Sequence, residues 1–156
     1  TLRKIYAHGA YFKAFGGKAM NIDAIRNGIV IDHIIAGKGM EIYRLLGLEA
    51  LDCSVALIKN AASKKTGKKD IIKIDSDFDV DTDILGFVDP NVTVNIIKDG
   101  QIKEKKTLEL PQELKNVLKC KNPRCISSTE QELPHIFRLT DRERRIYRCI
   151  YCESKA

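Results

Sequence analysis

The 156-residue sequence predicts an α+β chain in two parts. A five-stranded antiparallel ferredoxin-like sheet with two helices comes first, followed by a small four-cysteine zinc-ribbon-like β domain. Three observations predict this. Runs of strand period and helical period follow the order β-α-β-β-α-β plus a hairpin partner, which folds to a sheet with both helices on one face. Asp99-Gly100, between two alternating runs, is a strong hairpin signal. Two short-spaced cysteine pairs then close the chain.

The elements follow in order. From Gly28 the β-branched run Ile29–Ile35 reads as a buried strand. Gly37 and Gly39 bracket the entry to a helix. Met40, Ile42, Tyr43, Leu45 and Leu46 recur at helical spacing, and Gly47 stops it. Residues 50–60 read as the second strand, with Val55 and Leu57 alternating with Ala56 and Ile58. Ser63–Lys69 is a cationic turn, most simply a solvated loop, and Ile71–Ile74 is the third strand. Asp75–Asp83 is acidic, and a short helix follows near Thr82–Phe87, ended by Pro90. Val92, Val94 and Ile96 mark the fourth strand, and residues 101–110 the fifth. Ile102, Glu104 and Lys106 fall on one side of the fifth, Lys103, Lys105 and Thr107 on the other. Pro111 breaks the pattern, and residues 112–118 read as a short helical link. The domains are therefore drawn at 20–110 and 111–156. Residues 1–19, with four aromatics and Gly16-Gly17, form an N-terminal extension of unassigned role. Met20 stands as a candidate native start.

Four residues separate Cys120 from Cys125 and two separate Cys149 from Cys152, with 23 residues between the pairs. Two such knuckles joined by one loop suit a tetrahedral Zn²⁺ site, and Asn122-Pro123 favours the first turn. Four thiolates leave no open coordination position, so the metal is expected to be structural. Disulfides fit less well, because five cysteines are an odd number and no secretory signal is read. Free thiols imply a reducing cytoplasm, and no apolar run approaches the roughly 20 residues of a membrane span.

Charge is uneven. The net charge of +6 resolves into four basic and no acidic groups over residues 1–19, 13 against 16 over 20–114, and 10 against five over 115–156. The basicity belongs to the termini and not to the middle.

Several polar residues interrupt apolar strands. Asp32 falls on the side shared with Val30 and Ile34, and an acid there must be paired or bind something. A bond to backbone or to a lysine would satisfy it equally. His33 follows on the opposite side. Lys73 lies between Ile72 and Ile74, Asn95 between Val94 and Ile96, and Lys105 on the last strand. One acid, one amide and several cations suit a nucleotide, with Asp on ribose hydroxyls, Asn on the base and Lys and His on phosphates. No phosphate-cradling Gly-x-x-x-x-Gly-Lys loop and no Ser/His/Asp or Cys/His arrangement accompanies them, so hydrolysis is not expected. Cys53 reads as a core residue.

At this point several dispersed motifs resemble one family. Asn21-Ile22-Asp23-Ala24-Ile25-Arg26-Asn27-Gly28-Ile29-Val30-Ile31-Asp32-His33-Ile34 is similar to the start of aspartate carbamoyltransferase regulatory chains. So are Gly67-Lys68-Lys69-Asp70-Ile71-Ile72-Lys73-Ile74, the stretch Pro90 to Asn95, and Cys120-Lys121-Asn122-Pro123-Arg124-Cys125-Ile126-Ser127. The resemblance covers residues 21 to 153. It implies a non-catalytic subunit in pyrimidine biosynthesis that binds CTP, and competitively ATP, on its first domain. It also implies docking on catalytic chains through the zinc domain, with regulatory chains pairing to bridge an assembly of six catalytic and six regulatory chains. Carried over by position, the nucleotide contacts fall on Ile22, Ala24, Ile25, Asp32, His33, Lys73, Asn95, Ile102 and Lys105. One departure stands out: Gly100 replaces an aromatic of the enteric members, whose backbone helps read the base. The competing reading is a zinc-ribbon nucleic-acid-binding protein using Arg142, Arg144, Arg145 and Arg148 on phosphates. The acidic first domain and the lack of a row of stacking aromatics weigh against it. A basic face complementary to an acidic protein partner explains the same charge.

Overall fold

The computed structural model describes residues 24–156. The expectations for residues 1–19, Met20 and Ile22 fall outside them. The first sheet consists of β1 (Gly28–Ile35), β2 (Val55–Ser63), β3 (Gly67–Ile74), β4 (Thr93–Lys98) and β5 (Gln101–Thr107), in the order β2-β3-β1-β4-β5. Every neighbouring pair is antiparallel. Helices α1 (Gly39–Leu45) and α2 (Thr82–Val88) cover one face. Ile29, Ile31, Ile72, Ile74 and Val94 from the sheet meet Ile42 of α1 and Leu85 of α2 there. Burying one such side chain is worth about 1.5–3 kcal/mol, which is what holds the helices down. The opposite face, carrying Val30, Lys73 and Asn95, has no helix of the described residues upon it.

Local chemistry explains the boundaries. Asp81 accepts hydrogen bonds from the N–H groups of Asp83 and Ile84 and so starts α2. Asp99 and Gly100 both take positive φ, 52° and 75°, as a two-residue hairpin turn requires. The second strand begins later than expected, because Leu48–Ala50 forms a 3-10 turn. The cationic turn is shorter, since Gly67–Lys69 already belongs to β3. The fifth strand stops at Thr107, and Leu108 then turns into the core.

Two bulges redirect side chains. In β1, Ile31 pairs with Ile72 but Ile34 pairs with Asp70, which inserts one residue. Ile34 therefore joins the core instead of sharing a side with Asp32, and His33 comes to the side of Asp32 instead of opposing it. In β5, Ile96 faces Glu104 while Ile97 faces Ile102. The extra residue moves Ile102 to the face of Asn95 and Lys105, away from Glu104.

The second sheet has the order β6-β7-β8: β6 (Glu113–Lys115), β7 (Ile136–Asp141) and β8 (Ile146–Cys149). The short α3 (Ile126–Thr129) follows the first cysteine pair. The expected helical link over 112–118 is thus wrong. Leu114 is buried opposite Phe137 with exposed Glu113 and Lys115 on either side, and cross-strand pairing overrides the local helical preference. Gly86 of α2 lies so close to the linker that a Cβ would sit 2.1 Å from the Glu109 carbonyl oxygen. The next residue, Phe87, leaves the first core for the second and meets Tyr147 edge-on at 5.3 Å. The Tyr147 hydroxyl donates to the Pro111 carbonyl at 2.7 Å, tying the linker to the same spot.

Candidate functional site

On the helix-free face, the register of the strands lines up one row of residues. Ala56 pairs with Lys73, Lys73 with Val30, Val30 with Asn95, and Asn95 with Lys105. Paired residues share a face, so Lys73, Asn95 and Lys105 sit together across roughly 14 Å of sheet at the usual strand spacing. Asn95 is buried, and its Oδ1 has no hydrogen-bond partner among the described residues, so it is an acceptor open to a donor. Beside the row opens a cavity of about 430 Å³ lined by Ala24, Ile25, Arg26, Val55, Lys73 and Asp75 among others. Three expected contacts therefore meet at that end. The hairpin turn is fastened to the same region, with the Gly100 N–H donating to the Arg26 carbonyl and the Asp99 N–H to Asn27 Oδ1. Ile102 is exposed opposite Ile97.

One step further along β1, Asp32 and His33 form the other end. Lys69 Nζ reaches both Asp32 oxygens, at 2.7 and 3.0 Å. The His33 N–H donates to Asp32 Oδ1 at 2.6 Å, and the ring Nδ1 lies 3.1 Å from Thr93 Oγ1. Burial alone would raise the Asp32 pKa. The hydrogen bond from Lys69, the His33 N–H and the charge of Lys69 outweigh it and hold the carboxyl below its ordinary 3.8. Asp32 is thus satisfied by backbone and lysine, while both remain on the open face beside a histidine.

Sequence reasoning missed three residues here. Lys69 is a half-buried strand residue and not part of a solvated loop. Asp70 is fully buried on the other face, and Thr93 orients His33. The signal for the first two lay in the period of two: Lys69, Ile71 and Lys73 share one face, Asp70, Ile72 and Ile74 the other.

The second candidate site is the cysteine cluster. The Sγ atoms of Cys120, Cys125, Cys149 and Cys152 all lie within 4.8 Å of one another, with 3.5 Å between Cys120 and Cys152 and 3.7 Å between Cys125 and Cys149. None is in a disulfide. Burial pushes the Cys120 thiol up to about 12, while hydrogen bonds from Ser154 pull Cys152 down to about 6. Four sulfurs this close form a donor set for a cation, whose charge would hold all of them as thiolates. Cys53 packs against the first core and takes no part. The arginines considered for nucleic acid are partly engaged within the chain: Arg144 lies 3.9 Å from Asp141, and Arg148 donates to the Glu153 carbonyl. No helix among the described residues is long and apolar enough to cross a membrane.

An open-faced sheet presenting charges, joined to a small domain that gathers four cysteine sulfurs, defines a two-domain chain with a candidate ligand face and a candidate metal centre. Comparison with known proteins gives it a family. A family model described as the allosteric domain of the aspartate carbamoyltransferase regulatory chain matches residues 20–109, and one described as its metal binding domain matches 112–156. Aspartate carbamoyltransferase regulatory chains of Clostridium botulinum are 54% identical over 135 residues, which is 86% of this chain and 92% of theirs. That of Clostridium acetobutylicum is 52% identical over the same shares, and that of Bifidobacterium longum 43% over 88% and 99%. The chain belongs to the aspartate carbamoyltransferase regulatory chain family, the non-catalytic subunit of that enzyme.

Proposed function

We propose that the chain binds CTP and ATP as allosteric effectors on the helix-free sheet face and passes their effect to a catalytic chain docked on its metal domain. The observation that carries this reading is the strand register, which lines up Lys73, Asn95 and Lys105 beside the Asp32–Lys69 pair and His33. The base enters the cavity by Ala24 and Ile25, with Ile102 on the same face. An exocyclic amine donates to the orphaned Asn95 Oδ1, the ribose hydroxyls meet Asp32 and Lys73, and the phosphates meet His33 and Lys105. Lys69, already at the Asp32 carboxylate, adds a cation at that end. The Gly100 N–H, engaged with Arg26, holds the turn over the base.

The metal is Zn²⁺. Four sulfurs about 2.3 Å from a tetrahedral centre stand about 3.8 Å apart, close to the spacing of the two tight pairs. Cys120, Cys125, Cys149 and Cys152 would hold it, and its role is to fold the knuckles. Ile126, Ile150 and Tyr151 on those knuckles are exposed large apolar groups, suited to burial against the catalytic chain. Regulatory chains pair with one another and bridge six catalytic and six regulatory chains in the cytoplasm, for pyrimidine biosynthesis. Neither nucleic acid nor membrane is a partner.

The test has two arms. Calorimetric titration of CTP and ATP against the wild-type chain and Lys105→Ala is expected to show roughly 10- to 150-fold weaker binding, the effect of about 1.5–3 kcal/mol for a lost charge-assisted hydrogen bond. Equal affinities would remove Lys105 from the site. Reconstitution with catalytic chains then follows carbamoyl-aspartate formation against aspartate concentration, with and without nucleotide. Couplings of about 1–3 kcal/mol are typical. A curve unmoved by nucleotides that bind would make this chain a structural bridge.

A further inference from the structure

Strand β3 has a bulge beside it on both sides at one level. On the β1 side the register slips between Ile31 and Ile34, opposite Ile72 and Asp70. On the β2 side it slips between Ile58 and Ala61, opposite Ile71 and Lys69. Each bulge contains a non-glycine residue with positive φ, His33 at 63° and Asn60 at 57°. Such conformations persist only where the surroundings over-determine them. The dipeptide Lys69-Asp70 supplies that constraint from both faces.

Asp70 is 0% exposed, and its carboxylate accepts three backbone N–H groups. Oδ1 takes Asn60 at 3.0 Å, and Oδ2 takes Gly37 at 2.9 Å and Gly39 at 3.0 Å. One side chain therefore ties the β2 bulge to the turn between β1 and α1. The approach is close: a Cβ on Gly39 would sit 2.9 Å from Asp70 Oδ2 and 2.7 Å from Leu57 Cδ1. Burial would raise the Asp70 pKa, but the three N–H donors outweigh it and keep the carboxylate ionised. On the other face Lys69 grips Asp32. The β1 segment is thus held at Asp32 from one side and at Gly37 and Gly39 from the other, with His33 between the two grips.

We propose that Asp70 is a positioning residue for the nucleotide site: it fixes the β1 bulge that turns His33 onto the face of Asp32, without itself touching the nucleotide. This rests on the nucleotide reading above. The test compares Asp70→Asn with Asp81→Ala, which removes the α2 N-cap and destabilises the same domain away from the bulges. An amide at position 70 keeps the shape but sets a donor against N–H groups. Calorimetry with CTP is paired with the NMR chemical shifts of the His33 ring, at one fixed pH, in the nucleotide-free chain. Asp70→Asn is expected to weaken CTP binding roughly tenfold and to move the His33 ring resonances as the ring leaves Thr93, while Asp81→Ala changes neither. Wild-type His33 ring resonances in Asp70→Asn would overturn the proposal. So would equal binding losses in the two variants. If the wild-type chain binds neither CTP nor ATP, the nucleotide reading fails separately, and the His33 resonances still decide what Asp70 does. Should Asp70→Asn not fold, Gly39→Ala, which pushes on the same carboxylate, is scored by the same two readouts.

Discussion

The sheet domain and the metal domain solve the same problem with different means. Twelve buried apolar residues from strands β1, β3 and β4, the two helices and the segments between them form the first core. The second has five, two of which are cysteines of the cluster, and it takes in Phe87 from the sheet domain's own helix. A segment of about 40 residues seldom closes a core without a metal or disulfide. The difference teaches where each domain is vulnerable: the first through packing, the second through its metal and its loan of one aromatic ring.

The largest test of that contrast is Cys149→Ala. Structural zinc in such sites contributes on the order of 10–16 kcal/mol near neutral pH. Metal content is expected to vanish and the metal domain to unfold, while the far-ultraviolet signal of the sheet domain persists. Retention of a folded β6–β8 sheet without metal would break the comparison. Next comes Phe87→Ala. Truncating a buried aromatic costs about 3–5 kcal/mol, and Phe87 is only half-buried, so about 2 kcal/mol is expected. That loss should fall on the metal domain although the residue belongs to α2, as zinc affinity and separate unfolding transitions would reveal. A loss confined to the sheet domain would refute the sharing of the ring.

Acid separates the domains by a different chemistry. Asp32 and Asp70 have pKa values below 3.8, so the unfolded chain binds their protons first. Their contribution to the sheet domain is present above the ordinary carboxylate value of 3.8 and is lost as pH falls through the lowered values. Thiolates compete with protons for their metal, so the metal domain is expected to release zinc and unfold first on acidification. A chelating dye and circular dichroism recorded over one pH series would show the order, and simultaneous loss would contradict it. The smallest effect is Asp81→Ala, about 1 kcal/mol for a lost N-cap, seen as a lowered melting temperature of the sheet domain alone.

The comparison also marks what was legible in the sequence. Local signals carried far: the cysteine spacing, Asp99-Gly100, and the strand periods of Ile29–Ile35 and Val92–Ile96 all lead to the structure described. Failures came where register decides. Bulges at His33 and in β5 leave no trace in an alternating pattern, because they are set by the pairing with a neighbouring strand distant in sequence or across a turn. Lys69 was hidden by neighbouring lysines, although its period with Lys73 was visible. Residues 112–118 carry helix-forming Glu, Leu and Lys, but the tertiary pairing of Leu114 with Phe137 wins.

The two edges of the first sheet differ in how they would receive another strand. Every residue of β5 is exposed, and Lys103, Glu104, Lys105 and Lys106 line it, which deters another strand from annealing there. The β2 edge carries a single charge, Lys59, among mostly half-buried apolar and small residues. The lysine comb on β5 thus acts as a terminator, closing the sheet to further growth along the hydrogen-bonding direction at that edge.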